Sequence, residues 1–114
     1  KLGRPAAVKE QDTLADSLLG GIGRENRDTM QLISRYVDDH VLVSEDDVRR
    51  GMHFCFRYHS LVAEGAGCVG IGAILSGACN ISGRRVILPV TGGNVDRSVY
   101  LKVMMQEEVH THER

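Results

Sequence analysis

From Asp28 onward, apolar residues fall at Met30, Ile33 and Val37, with Leu32 and Tyr36 beside them. That spacing predicts an amphipathic helix, with Asp28 or Thr29 as the candidate cap. A short continuous apolar run follows, "HVLV" at 40–43, and reads as a buried strand. It stops at "SEDD", where Ser44 and Asp47 fit a capping box. The helix opened there is expected from about Glu45 to about His59, with Val48, Met52, Cys55 and Phe56 on one face. The stretch at 61–77, "LVAEGAGCVGIGAILSG", is the least polar in the chain and is dominated by small residues. Its second part, 67–75, predicts a buried helix packed closely enough to require Gly and Ala. "RRVILPV" at 84–90 is β-branched and too short for a helix, which predicts a strand covered on both faces. A last amphipathic helix is expected after Val95, carrying Val99, Leu101, Val103 and Met104, with the "HTHER" tail in solvent.

Residues 1–27 lack such periodicity and contain a glycine-rich stretch, "LLGGIGRENR" at 18–27. Helices alternating with short apolar strands predict an α/β fold of three layers around a mainly parallel sheet. The 114 residues suffice for one domain with a modest core. The chain opens on Lys1, and 1–8 carries no helix or strand start. The expectation is therefore that 1–114 is one portion of a longer polypeptide.

Composition narrows the functional classes. The 14 basic and 15 acidic residues nearly cancel, and no basic stripe points to nucleic acid. Trp is absent and aromatics are few, which argues against a base-stacking platform. No apolar run approaches the ~18 residues of a membrane span. Cys55, Cys68 and Cys79 are an odd count without CxxC spacing, so neither a disulfide framework nor a zinc site is expected, and a reducing cytoplasm fits. The histidines give no metal pattern: His53 and His59 are not at helical ligand spacing, and His110 and His112 belong to the tail.

Three stretches invite chemistry. "GAGCVG" at 65–70 matches the dinucleotide fingerprint GxGxxG. That motif needs a preceding strand and an acid about 20 residues on, at the end of the next strand. The next acid is Asp96, beyond that strand end, so close helix packing is the better reading and an NAD-binding domain a minor alternative. Glu64 is the one charge between Leu61 and Gly83 and starts the small-residue helix. It is either an acid favoured by the helix macrodipole or one that holds or moves a proton. "TGGN" at 91–94 follows the 84–90 run, at the sheet edge where α/β proteins bind ligands. Gly92 and Gly93 permit close approach and the Thr91 hydroxyl can donate or accept, though an ordinary strand-to-helix turn explains them equally. "LLGGIG" could form an anion-binding nest or a mobile loop.

Taken in order, "TLADSLLGGIGRENRDT", "YVDDHVLVSEDDV", "LVAEGAGCVGIGAILSG" and "GRRVILPVTGGNVD" resemble the C-terminal part of the fold-type II pyridoxal-phosphate enzymes, tryptophan synthase β-like in fold. More narrowly they resemble the serine/threonine dehydratases, with the nearest branch similar to hydroxyectoine-utilisation dehydratases. The resemblance implies that the "TGGN" turn approaches the cofactor ring. It implies that the Thr91 hydroxyl bonds the pyridine nitrogen, where most members have Ser, and that Gly92 and Gly93 allow the approach. Glu64 matches a glutamate close to the cofactor, and Ser17 a position lining the site. A hydroxyl cannot hold the pyridine nitrogen protonated, and a weaker electron sink suits elimination of a β-substituent.

The implied reaction is dehydration of serine or threonine to a 2-oxo acid and ammonia, by an enzyme that is commonly oligomeric. The family's Schiff-base lysine, phosphate loop and cation ligands lie upstream of these motifs. Lys1, Lys9 and Lys102 stand in no matching context. The 114 residues alone are therefore expected to be inactive, and half a core is expected to leave apolar surface exposed. A non-catalytic remnant or interaction module of the same fold is the alternative.

Overall fold

The computed structural model describes residue 6 and residues 9–23 and 25–110, with side chains through residue 106. A 3₁₀ turn at Asp16–Leu18 precedes four helices: α1 (Asp28–Tyr36), α2 (Glu45–His59), α3 (Gly65–Leu75) and α4 (Arg97–His110). Of the "HTHER" tail expected in solvent, His110 ends α4 and residues 111–114 lie outside the described residues.

Helix α2 begins where the capping box predicts. The Ser44 hydroxyl accepts the Asp47 amide at 3.2 Å and donates to the Asp47 carboxylate at 2.6 Å. It ends in a left-handed residue, Ser60 at φ 52°, whose N–H returns to the Cys55 and Phe56 carbonyls. The Ser60 bond to the Phe56 carbonyl is that of an αL cap, and the adjacent Leu61 N–H bonds the Cys55 carbonyl at 3.1 Å. Helix α1 departs from expectation at its start: the cap is Asn26, whose side chain accepts the Thr29 amide at 2.8 Å. Helix α4 is capped by Asp96, which accepts the Ser98 and Val99 amides at 2.8 and 3.2 Å.

Helices α2 and α3 form the centre of the packing. Val48, Met52 and Cys55 from α2, Ala63, Cys68 from α3, and Tyr100 and Val103 from α4 make the buried cluster. Phe56, expected on the same face, is half exposed and meets the Tyr100 ring edge-on at 6.2 Å. The helices approach closely because glycines sit at the contact. A Cβ on Gly51 would stand 2.6 Å from the Cys68 carbonyl oxygen, and one on Gly72 would stand 2.5 Å from the Asp47 carbonyl oxygen. Neither obstacle is a flexible side chain, so the need for small residues is steric. Helix α3 starts two residues earlier than expected, at Gly65.

The expected sheet is not present among the described residues. Neither 40–43 nor 84–90 is a strand, and no ladder of backbone hydrogen bonds joins them to a neighbour. Nor is either covered: Leu42 and Ile87 are each 92% exposed, while Val43 and Val90 alone reach the core cluster. A strand exists only by pairing, and these two runs do not pair with each other. What the described residues present is a helical arrangement.

Candidate functional site

Glu64 precedes α3, with its backbone N–H bonded to the Gly92 carbonyl at 3.0 Å. Its carboxylate does not cap the helix. One oxygen accepts the Ser17 hydroxyl at 3.0 Å and the other accepts the Asn94 amide at 3.0 Å. Ser17, Glu64 and the 92–94 turn, remote from one another in sequence, thus meet on one half-exposed carboxylate. It is not the buried acid of a core, and no charged or polar residue among those described is fully buried.

The glycines of the turn have a concrete task. A Cβ on Gly92 would run into the Glu64 carboxylate, and one on Gly93 would stand 3.0 Å from the Val62 carbonyl oxygen. What approaches the backbone at Gly92 is therefore the chain's own acid. Gly67, in the first turn of α3, abuts the same turn: its Cβ would stand 3.2 Å from the Gly92 carbonyl oxygen and 3.6 Å from the Thr91 nitrogen. Thr91 is exposed on this turn, and its hydroxyl takes no partner among the described residues.

The dinucleotide-like "GAGCVG" lies wholly inside α3. Its glycines are spent on protein contacts, Gly65 against the Leu14 backbone and Gly67 against the 91–92 backbone. No strand precedes it among the described residues, so the fingerprint lacks its structural context. In "LLGGIG", Gly20 and Gly23 take positive φ, and the Gly20 amide donates to the Glu10 carboxylate at 3.0 Å. The anion that this stretch holds is an internal one.

Two contacts escaped the sequence reading. Glu45, in the first turn of α2, accepts the Thr13 hydroxyl on one oxygen and the Leu14 amide on the other, the latter at 2.9 Å. His53 meets the Val103 carbonyl oxygen through Nε2 at 2.9 Å, which ties α2 to α4. Beneath the site, the Cys68 thiol donates to the Cys55 sulfur at 3.7 Å. Burial, then the neighbouring Cys55, and lastly the charge of Glu64 push the Cys68 thiol up to about 12. Burial also pushes the Tyr100 phenol up, and its hydroxyl is buried without a partner among the described residues.

The described residues offer one group that could meet a pyridine nitrogen. Thr91 offers an unengaged hydroxyl, on a turn that Glu64 and Gly67 both contact. They do not offer the rest of such a site: Lys9 and Lys102 are exposed, and neither joins the Glu64 cluster. Nor do the described residues include a group of three or more His, Cys, Asp or Glu placed to hold a metal ion.

Comparison with known proteins adds an independent finding. The profile of the family described as "pyridoxal-phosphate dependent enzyme" matches residues 1–92. A Sinorhizobium fredii protein provisionally named a threonine dehydratase is 40% identical over 102 residues, covering 90% of this chain and 31% of that protein. The L-threonine ammonia-lyase of Thermotoga maritima is 34% identical over 94 residues, 82% of this chain and 23% of its own length. A catabolic L-threonine dehydratase of Escherichia coli is 38% identical over 88 residues, 75% of this chain and 26% of its own. The chain thus spans between 23% and 31% of the length of these relatives.

Proposed function

The chain belongs to the pyridoxal-phosphate dependent enzyme family, and from that premise we propose that it is the C-terminal portion of a lyase. Its reaction would release ammonia and a 2-oxo acid from a β-hydroxy amino acid such as L-threonine or L-serine. The names of its relatives support the reaction class. The observation that carries the site is the convergence of Ser17, Glu64 and the glycine turn, beside the unengaged hydroxyl of Thr91.

In this reading Thr91 bonds the ring nitrogen. Glu64 and Gly67 hold the Thr91 turn against the start of α3, and Gly92 has no side chain because Glu64 needs the room. Pyridoxal phosphate supplies the electron sink for breaking bonds at the amino-acid α-carbon. A hydroxyl at the ring nitrogen leaves that nitrogen unprotonated and favours loss of the β-hydroxyl. Glu64, oriented by one hydroxyl and one amide donor, tunes protonation beside the ring. Gly93 lets the turn pass under the Val62 carbonyl.

The imine-forming lysine and the phosphate loop would come from the rest of a longer chain. The same extra chain would complete the three-layer fold, with 40–43 and 84–90 as strands of its parallel sheet. Exposed Leu42 and Ile87 support this, because a paired and covered strand would bury them. A cytoplasmic homo-oligomer completes the reading. No described helix is long and apolar enough to cross a membrane.

The test is an assay of the protein purified from its source cells at native length. Release of ammonia and 2-oxo acid from L-threonine or L-serine, dependent on pyridoxal phosphate, is expected. A native-length protein that releases neither would overturn the assignment.

A further inference from the structure

We propose that Glu45 is a positioning residue for the Glu64 site: through Thr13 and Leu14 it fixes the segment from which Ser17 reaches Glu64. Three acids occupy the first turn of α2, Glu45, Asp46 and Asp47. Asp46 pairs with Arg49, and Asp47 serves Ser44 and Arg50, all within the helix or its cap. Either acid satisfies the helix macrodipole. Glu45 alone of the three turns both oxygens off the helix, one to the Thr13 hydroxyl and one to the Leu14 amide. Thr13 passes the constraint on, since its hydroxyl oxygen also accepts the Ala15 amide at 3.1 Å.

The far side of the same segment is closed by α3. A Cβ on Gly65, the residue after Glu64, would collide with the Leu14 carbonyl. Residues 13–15 are thus gripped between the N-terminal ends of α2 and α3, and Ala15 is buried. The 3₁₀ turn starts there, with the Leu18 amide on the Ala15 carbonyl and the Leu19 amide on the Asp16 carbonyl, both at 2.9 Å. Ser17 sits in that turn and donates to Glu64. A rigid turn anchored at one end transmits position to its other end. Without the anchor, the Ser17 hydroxyl has to find Glu64 from a loose loop. The importance of this for catalysis rests on the reading of Glu64 as the ring-side acid.

Hydrogen–deuterium exchange on the native-length protein tests the link, reading segments 13–19, 46–55 and 92–96. E45A is expected to speed exchange in 13–19 and, by about fivefold, at Asn94, whose amide is held by Glu64. Exchange in 46–55 should not change. S17A should reproduce the Asn94 effect while leaving the Leu14 amide protected, and at Asn94 E45A/S17A should add little to either single change. E45Q, which keeps the length and one accepting oxygen, should restore part of the protection. A role confined to the helix terminus predicts the opposite: faster exchange in the first turn of α2 with Asn94 unmoved. That result overturns the proposal, as does an E45Q protein unchanged in both 13–19 and 92–96, which also decides the matter if E45A does not fold. The predicted exchange pattern without any effect of pyridoxal phosphate on segment 92–96 supports the link and overturns the ring-side reading instead.

Discussion

Single residues explain themselves through what their atoms touch. Tyr100 contributes its ring to the core and leaves its hydroxyl buried without a partner among the described residues. An unpaired buried hydroxyl costs stability, so Y100F should leave the unfolding free energy in urea level or raise it, by about 1 kcal/mol at most. A fall would mean that the hydroxyl has a partner. Asp96 is held below its ordinary carboxylate range by hydrogen bonds from the Ser98 hydroxyl, then the Val99 and Ser98 amides. A carboxyl depressed in the folded state stabilises it fully above its unfolded value, 3.8, and loses that contribution as pH falls through the lower folded value. D96N should therefore flatten the acid limb of the helicity curve below about pH 4, measured by circular dichroism. An unchanged limb would deny the cap its titration. The sequence shows Glu64 as an isolated charge, yet not what it binds. Its partners, Ser17 and the Asn94 amide, come from distant segments, and one is backbone that any residue could supply.

At the scale of elements, the helices were legible and the strands were not. Periodicity and the Ser44 capping box mark α2 at both ends because both signals are local. Small residues mark α3 because two helices touch through Gly51 and Gly72. Strand character in 40–43 and 84–90 depends on pairing partners, and local sequence reports only the propensity. G72A offers a direct test of the helix contact. Its Cβ would meet the Asp47 backbone, so the change should cost ~1–3 kcal/mol in urea unfolding, as overpacking does. An exposed helix would instead gain about 0.5–1 kcal/mol from Gly→Ala, so a stabilised variant would refute the close contact. The same interface seals two thiols. Cys55 and Cys68 are fully buried and Cys79 is partly exposed, so a thiol reagent should label Cys79 alone in the native state. Rapid labelling of Cys68 would mean that α2 and α3 separate readily.

The whole molecule is looser than its length suggests. Its radius of gyration is 15.8 Å, against the ~13 Å of a compact chain of this size. Among the described residues helix α1 packs on no other element; it exposes Leu32, Ile33 and Tyr36, and Val37, Leu42 and Ile87 also stand in solvent. Apolar surface on this scale fits a portion of a larger body, in keeping with the 23% to 31% of the relatives that the chain spans. The family was legible from four ordered motifs. The sheet was not, since among the described residues 40–43 and 84–90 take no pairing partner. The central claim is that the Thr91–Asn94 turn, braced by Glu64, faces the cofactor ring. The most direct test compares T91S and T91A in the native-length protein, assayed for 2-oxo acid release from L-threonine with pyridoxal phosphate. T91S, which keeps the hydroxyl, should retain activity, and T91A should lose about tenfold or more in kcat/KM, the worth of one hydrogen bond at the reacting group. Equal activity in T91A and wild type would contradict the account.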